Sequence, residues 1–285
     1  MSTSHGFVII DKPAGITSHD VVARLRKKLG TKRVGHAGTL DPMATGVLVL
    51  GINNATKFLQ FITDGKKRYQ ATIRLGQATT TDDREGEILN TASTEGITDD
   101  AINSGLMKQV GMIMQVPSKV SAIKIAGERA YDLVRQGKEV EIPARQVEIT
   151  SIDILEIKRN EFIDIDIDVM CSAGTYIRSI ARDLGESLSV GGHLISLRRT
   201  LVSPFDLSDC SSLDEPTIRP LAQAISAVLP LRTIDMNEVQ ELKYGRALTK
   251  SEFEGTGVAI APNGEVAAIL ENREYGAQPL SVFVS

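Results

Sequence analysis

The sequence has very little cysteine and no tryptophan. Its two cysteines, Cys171 and Cys210, are too few and too far apart for a disulfide framework or a CxxC pair, which favours a reducing compartment. The four histidines show neither the HExxH spacing nor a cysteine–histidine pattern, and this argues against a metal site. We therefore expect no bound metal.

Other common signatures are also missing. The GxxxxGK[ST] and GxGxxG loops do not occur, so no nucleotide cofactor is expected. The best apolar run, residues 47–52, has the length of a strand and falls far short of the roughly 18 residues that a membrane helix needs. Residues 1–6 carry no basic region, which argues against a secretion signal. These absences predict a cytoplasmic protein without a membrane partner.

The composition is that of an ordinary globular protein, but its charge is unevenly distributed. The 285 residues are 42% hydrophobic and 24% charged, which suits one large domain or a large one with a small one. The formal net charge of −4 argues at first against a polyanion partner. Residues 1–75, however, hold twelve lysines and arginines against four carboxylates, a net +8, which leaves −12 on the other 210 residues. The clusters at 24–33 and 66–68 therefore predict a phosphate-binding face.

The hydrophobic pattern predicts alternating strands and helices, with a polar surface loop over residues 77–96. Strands are predicted at 7–10, 47–52, 68–76, 120–125, 147–149, 162–170 and 194–201. Helices are predicted from Thr17 or Ser18 to Gly30 and at 99–110, 130–136, 175–188 and 218–228. Short alternating pieces at 257–261, 266–270 and 280–284 predict a small β-rich unit. We divide the chain into domains of residues 1–228 and 229–285.

The strand over residues 162–170 alternates apolar residues with Asp164, Asp166 and Asp168. Three carboxylates in a row suggest metal ligands. Residues two apart in a strand lie about 6.6 to 7 Å apart, however, which is poor geometry for one small ion. A solvated sheet face is the better interpretation.

The loop over residues 35–46, with the sequence GHAGTLDPMATG, contains a carboxylate of uncertain role. Its glycines allow close approach to a ligand, and Asp41 before Pro42 is biased to an extended conformation. Asp41 is either a turn residue or a chemically active acid. Arg178 lies in the first turn of a predicted helix, where the macrodipole disfavours a cation by about 0.3 to 1 kcal/mol. A nearby carboxylate would offset that cost, although solvent can also do so.

Six ordered segments of the first 200 residues carry a family resemblance. They are GFVIIDKP (6–13), GHAGTLDPMATG (35–46), KRYQATIRLG (67–76), SAIK (121–124), GTYIRSIARD (174–183) and LRR (197–199). Together they resemble the TruB family of bacterial tRNA pseudouridine synthases. The resemblance implies an α+β fold with a mixed, largely antiparallel central sheet and flanking helices. It also implies a small C-terminal PUA-like RNA-binding domain, although the match there is weak and rests mainly on KYGRAL (243–248).

The resemblance also implies an activity and its catalytic residues. Members of the family isomerise the uridine at position 55, in the T-arm of tRNA, without metal or cofactor. Asp41 matches the catalytic aspartate, and Arg178 matches the arginine that pairs with it. Tyr69 matches the aromatic residue that stacks on the target base, although it could equally be a core aromatic. The partner is therefore tRNA, and we expect a monomer.

Four further residues match substrate-binding positions. His36 matches the residue that enters the T-loop beside the expelled base, and is otherwise a plain loop histidine. Leu197 matches an apolar residue of the base pocket, and is otherwise a core residue. Tyr176 lies in the motif with Arg178, and Lys12 matches a lysine with a supporting role. One departure is Val120, which stands where many members have tyrosine.

Two other functions compete with this interpretation. An aspartyl-phosphate transferase could use Asp11 as its nucleophile, but such enzymes have a second acid two residues later, where this chain has Pro13. A non-catalytic RNA-binding protein or tRNA folding helper would need the same surface without the chemistry. Detection of pseudouridine in T-arm RNA distinguishes these alternatives from an isomerase.

Overall fold

The computed structural model describes residues 5–118 and 142–284, and between them the backbone of residues 124–125 and 128–129. The strands are β1 (Gly6–Lys12), β2 (Val34–His36), β3 (Thr45–Ile52), β4 (Lys67–Leu75), β5 (Gln77–Thr79), β6 (Ile88–Thr91), β7 (Gly111–Gln115), β8 (Lys124–Ile125), β9 (Glu128–Arg129), β10 (Arg145–Arg159), β11 (Ile163–Cys171), β12 (Gly192–Val202), β13 (Phe205–Asp206), β14 (Arg219–Pro220), β15 (Leu231–Thr233), β16 (Thr256–Ile260), β17 (Val266–Arg273) and β18 (Gly276–Val282). The α-helices are α1 (Ser18–Leu29), α2 (Leu59–Thr63), α3 (Asp99–Met107), α4 (Ile177–Ser187), α5 (Leu221–Ile225) and α6 (Met236–Lys243), and 3-10 turns cover Asn53–Phe58 and Leu207–Asp209.

A large central sheet organises most of the chain. Its strand order is β14-β1-β3-β12-β4-β11-β10-β7, with β2 beside β3 and β13 beside β12. Neighbours are antiparallel except β3 and β12, which run parallel where Thr45 and Gly46 pair with Arg198 and Arg199. The predicted mixed, largely antiparallel sheet is confirmed.

The sheet buries one face against helices. Tyr69, Ala71 and Ile73 alternate along β4 into the main core, as their period of two predicts. Helix α4 packs onto this face through the apolar stripe that includes Ile180 and Leu184. The core therefore lies directly behind the strand that carries Tyr69.

The aspartates of β11 occupy the opposite face and are ion-paired or hydrogen-bonded to β4. Asp168 accepts from Arg68 at 2.6 Å, Asp166 from Thr72 at 2.6 Å, and Asp164 from Arg74 at 2.7 Å. The expectation of a solvated face is wrong at Asp168, which is buried and forms an ion pair with Arg68 of the neighbouring strand.

Helix α1 follows its predicted signals. Thr17 is the N-cap in a capping box with Asp20, and Gly30 ends the helix in a left-handed conformation. The predicted loop at 77–96 is wrong in part, since β5 and β6 form a small hairpin there. The strand at 147–149 extends over the whole of β10, and the helix at 218–228 shrinks to α5 because tertiary pairing outweighs local preference.

The C-terminal residues form a second sheet in the order β15-β16-β17-β18, covered by α6, a helix that the sequence pattern did not predict. One face of this sheet packs on α6, and the other joins an apolar cluster with the central sheet. In that cluster the rings of Phe58 and Phe283 stack with centroids 5.5 Å apart. The boundary at residues 228/229 stays a prediction.

Several predicted features lie outside the described residues. They include the helix at 130–136, Val120 and most of the strand at 120–125, together with the first three residues of the SAIK motif. Among the helices that the structure does describe, none has the length and apolar character needed to cross a membrane.

Candidate active site

A cavity of about 250 Å³ lies between the loop that follows β2, the strands β4 and β12, and the N-terminal end of α4. It gathers five of the seven predicted site residues: Asp41, Tyr69, Tyr176, Arg178 and Leu197. These side chains come from four separate stretches of the chain, so only the folded sheet brings them together.

Asp41 and Arg178 form an ion pair at the cavity. Arg178 Nε lies 3.0 Å from Asp41 Oδ2, and the aspartate side chain is 33% exposed whereas that of the arginine is 6% exposed. Arg178 is the second residue of α4, so its charge opposes the helix dipole. The Asp41 carboxylate therefore offsets the unfavourable interaction between Arg178 and the helix dipole, since the first turn of α4 contains no acidic residue.

Further contacts fix the Arg178 guanidinium. Its Nη1 donates to the carbonyl of Thr81 at 2.9 Å and to Ser118 Oγ at 3.2 Å, and it lies 3.5 Å from Asp83 Oδ2. Asp83 is buried and accepts from Thr81 Oγ1 at 2.5 Å. The arginine is thus held between two carboxylates, only one of which faces the cavity.

The environment of Asp41 acts on its pKa in both directions. Burial raises the pKa of the Asp41 carboxyl, and the nearby charge of Asp83 raises it further. Arg178, and more weakly Lys12 and Arg199, oppose this shift by favouring the carboxylate. The net direction is upward, as is common for a reactive acid in a desolvated pocket.

Tyr69 and Leu197 line the cavity on the neighbouring strands β4 and β12. Both are largely buried but reach the cavity, and burial raises the pKa of the Tyr69 phenol, which stays neutral near pH 7. Tyr176 is the N-cap residue of α4, and its backbone exchanges two hydrogen bonds with the buried side chain of Gln115, at 2.8 and 3.1 Å. An aromatic ring and an aliphatic side chain suit a flat base.

Buried side chains hold the loop that carries Asp41. Ser18 Oγ accepts from the Leu40 amide at 2.9 Å and donates to the Leu40 carbonyl at 3.1 Å. Lys12 Nζ donates to the carbonyls of Ile16 at 2.8 Å and Pro42 at 3.3 Å, and burial lowers the pKa of Lys12 to about 8. Lys12 therefore lies behind the loop rather than in the cavity.

His36 ends β2 and lies at the start of the same loop, outside the cavity lining. Its ring packs edge-on against His19 with centroids 5.5 Å apart, and burial lowers the pKa of its imidazole. Within the described residues, its Nδ1 has no hydrogen-bond partner. Nor does the described part of the chain contain a group of three histidine, cysteine or carboxylate residues placed to hold a metal ion.

Family models match most of the chain. The N-terminal domain of the TruB family pseudouridylate synthases matches residues 26–177, which is more than half of the sequence. The chain belongs to the TruB family of pseudouridylate synthases. The tRNA pseudouridylate synthase B C-terminal domain matches residues 178–217, and the C-terminal region of tRNA pseudouridine synthase II matches residues 229–284.

Known TruB-family relatives span nearly the whole chain. The tRNA pseudouridine synthase B of Corynebacterium diphtheriae is 51% identical over 289 residues, which cover 98% of this chain and 96% of that protein. The tRNA pseudouridine synthase B of Thermobifida fusca is 48% identical over 287 residues, with 98% of each chain covered.

Solved structures share the fold. A chain from an H/ACA RNP bound to a substrate RNA containing 2'-deoxyuridine superposes with a TM-score of 0.70 at 24% identity and covers 98% of this chain and 85% of its own. A chain of a Cbf5-Nop10-Gar1 complex gives a TM-score of 0.71 at 24% identity, covering 97% and 84%. At this identity the similarity concerns the fold alone.

Sequence reasoning missed several residues around this TruB-family site. Asp83 lies in a run of acids that reads as a solvated loop, and nothing local shows that its side chain is buried against Arg178. Lys67 was placed in the basic surface cluster, but its ammonium is buried and donates to the carbonyls of Thr63 and Gly65. Arg199 stands in the LRR motif, where only Leu197 received a role. Its burial between strands could not be read from spacing.

Proposed function

We propose that this chain isomerises the uridine at position 55, in the T-loop of tRNA, to pseudouridine, with Asp41 as the residue that attacks the target nucleoside. The observation that carries this proposal is the Asp41–Arg178 pair in a cavity of about 250 Å³, which is large enough for a nucleoside. The relatives named tRNA pseudouridine synthase B support tRNA as substrate, and the motif resemblance supports the T-loop uridine.

The reaction needs an ionised acid and no redox partner. The bond between uracil N1 and ribose C1′ breaks, the base turns, and C5 bonds to C1′, while N1 gains a proton and C5 loses one. Asp41 would act as a carboxylate, either by attacking C1′ or by removing the C2′ proton. Because burial raises the pKa of Asp41, the role of Arg178 is to keep a working fraction of it ionised.

The uridine reaches the cavity only when it leaves its stack. Flipping costs a few kcal/mol, and stacking on Tyr69 recovers roughly 1 to 3 kcal/mol. Leu197 and Tyr176 would pack around the base, and His36, outside the cavity, would fill the place that the base leaves. Lys12 would support the loop from behind.

The RNA backbone would bind to the basic face that α1, the following loop and the 3-10 turn form. Its exposed members are Arg24, Arg26, Lys27, Lys28, Lys32, Arg33 and Lys57. Four of them, Arg26, Lys32, Arg33 and Lys57, line one groove beside residues 281–283. Lys12 and Lys67 are buried and do not belong to this face.

This face predicts salt-dependent binding. Each lysine or arginine that neutralises a phosphate releases counterions, so the affinity for T-arm RNA should fall steeply between about 50 and 200 mM salt. Replacing Lys32 by glutamate should lower the magnitude of the slope of log K against log salt by about one. Lys108→Glu, at the exposed residue that directly follows α3, is the control. A slope unchanged by Lys32→Glu but reduced by the control would place the RNA elsewhere.

The decisive experiment replaces Asp41 by asparagine. We expect no tritium release from C5-labelled uridine in T-arm RNA and no carbodiimide-dependent primer-extension stop, with RNA affinity within about threefold of wild type. The matched control is Asp11→Asn, because Asp11 forms a surface pair with Arg198 at 2.7 Å and is the nucleophile of the alternative transferase. Turnover by Asp41→Asn, or its loss in Asp11→Asn alone, would refute the assignment.

The proposed working unit is a single chain in the cytoplasm. The Asp41–Arg178 pair, Tyr69 and Leu197 meet within one chain, which supports a site that is complete in a monomer. The cytoplasm is where a tRNA substrate is found. Light scattering with and without T-arm RNA tests whether the working unit is a single chain. A dimer as the active species would contradict this proposal.

A further inference from the structure

Arg199 is a buried arginine beside Asp41 that the proposed mechanism leaves unused. It lies in β12 with 1% of its surface exposed, and it lines the cavity. In the described part of the chain no carboxylate lies within ion-pairing distance of its guanidinium. Burying an unpaired cation is strongly unfavourable in general, so its retention needs strong compensating contacts.

These contacts are backbone carbonyls of one loop and the strand after it. Nε donates to the carbonyl of Val47 at 2.8 Å, Nη2 to that of Gly38 at 3.2 Å, and Nη1 to that of Thr39 at 3.4 Å. Gly38 and Thr39 precede Asp41, and Val47 follows the loop. One planar side chain thus ties the start of the Asp41 loop to its end.

The strand register joins this loop to the rest of the site. Arg199 pairs with Gly46 on one side and with Tyr69 on the other. Arg199 and Tyr69 also line the same cavity. Arg199 is therefore hydrogen-bonded to the loop that bears the acid, and it is the cross-strand neighbour of the residue proposed to stack on the base.

We propose that Arg199 is a positioning residue for the reaction: its guanidinium fork sets the backbone on both sides of Asp41 and the ring of Tyr69, so that the carboxylate faces the sugar of the stacked uridine. The proposal rests on the proposed function. A lysine cannot reproduce it, because one ammonium does not span three carbonyls in a plane. The positive charge of Arg199 has a second effect. Like the charge of Arg178, it favours the carboxylate form of Asp41 and so opposes the rise in the pKa of Asp41.

The test compares Arg199→Lys and Arg199→Met with wild type. Single-turnover tritium release is measured from pH 5 to 9, with RNA affinity and far-ultraviolet circular dichroism in parallel. Arg199→Met should lower the rate constant on the order of 100-fold, since misplacement by about 1 Å has that effect, while RNA affinity changes less than about threefold. Its acidic limb should move to higher pH.

The conservative variant separates geometry from charge. Arg199→Lys should keep the acidic limb of wild type because the charge remains, yet its rate should stay about tenfold low because the fork is lost. The control is Arg198→Met on the next residue of β12, whose partner is Asp11 at the surface, and its rate should match wild type.

Three results would overturn the proposal. They are a wild-type rate in folded Arg199→Lys, a rate loss in Arg199→Met that merely parallels loss of fold or RNA affinity, and an equal loss in Arg198→Met. If Arg199→Met does not fold, Arg199→Lys decides. Activity in Asp41→Asn would instead refute the proposed function, whatever the Arg199 variants do.

Discussion

Arg178 serves two carboxylates from a helix position that disfavours a cation. Its Nε faces Asp41 and its Nη1 faces Asp83, so the planar guanidinium is used on two edges. A lysine at this position keeps the charge but offers a single point of contact. The geometry of the pair, more than its charge, therefore distinguishes arginine here.

Arg178→Lys tests this geometry. Arg178→Lys should lower single-turnover pseudouridine formation on the order of 100-fold, as the loss of one aimed donor does elsewhere, with RNA affinity nearly unchanged. The control is Arg182→Lys, one turn later on α4, where the side chain pairs with Asp183 at 2.7 Å outside the cavity. Equal rates for Arg178→Lys and wild type would show that the pair is not needed.

The buried ammonium of Lys12 makes the stability of the protein depend on pH. Burial lowers the pKa of Lys12 to about 8, whereas the unfolded chain has the ordinary value of 10.5. Between these values the unfolded state binds more protons, so the free energy of unfolding should rise with pH by up to about 1 kcal/mol per pH unit from this group. This contribution is absent below pH 8 and complete above pH 10.5.

Urea unfolding at several values between pH 7.5 and 10.5 measures this effect. Lys12→Met should show a flatter dependence than wild type, since its side chain does not titrate. Lys66→Met is the control. Because Lys66 is exposed, this variant should keep the wild-type dependence of the free energy of unfolding on pH. Parallel curves for all three proteins would mean that Lys12 titrates normally in the fold.

At the scale of elements, the strands β3 and β12 approach each other closely at Gly46. A Cβ on Gly46 would lie 2.1 Å from the carbonyl oxygen of Arg199, and Gly46 has φ +102°. Position 46 therefore requires glycine for two reasons: its positive φ, and the lack of space for a Cβ atom.

Gly46→Ala should accordingly destabilise the protein by more than its backbone strain. Gly96→Ala is the matched control, because Gly96 has φ +82° but no atom within 4 Å of an added Cβ. Strain alone costs about 1 to 2 kcal/mol, and the clash at Gly46 should add about 1 to 3 kcal/mol. Denaturant midpoints of the two variants give the difference, and equal midpoints would show that the strands move apart freely.

Local patterns were sufficient to predict elements with a single dominant signal. The cap and glycine of α1 and the alternation of β4 reflect neighbours in sequence, so both were predicted correctly. Strand β10 runs ten residues beyond its predicted end at residue 149, because pairing with β11 continues to Arg159. Helix α6 has a capping box at Asp235 that the pattern analysis overlooked among short strands.

The residues of the candidate site also fall into two groups, those that a sequence motif identifies and those that only the folded structure identifies. Asp41, Tyr69 and Arg178 stand in motifs and were named from sequence, and the structure brings them to one cavity. Asp83 and Arg199 owe their importance to burial, which depends on contacts with residues 95 and 152 positions away, respectively. Spacing along the chain carries no such information.

At the scale of the whole molecule, the second sheet packs against the central sheet through a common apolar cluster. Ile269 points into the cluster that contains Phe7 and Phe58, whereas Leu270, the next residue of β17, points into the small core under α6. The two parts should therefore unfold together.

Ile269→Ala tests this cooperation. The loss of buried side-chain atoms should lower the free energy of unfolding by about 2 to 5 kcal/mol in one transition, seen alike by circular dichroism and by loss of activity. Leu270→Ala should cost a similar amount, since it is equally buried. Two separate transitions, with activity following only the first sheet, would show independent units.

The parallel junction of β3 with β12 also has a kinetic consequence. It joins residues more than 150 positions apart, Thr45 with Arg198 and Gly46 with Arg199, and both strands border the loop of Asp41. Closing so long a loop is entropically unfavourable and follows the formation of local hairpins. During synthesis, the ribosome must therefore release nearly 200 residues before the acid and its partners can meet. The basic N-terminal residues therefore leave the ribosome long before Asp41 and Arg178 can meet.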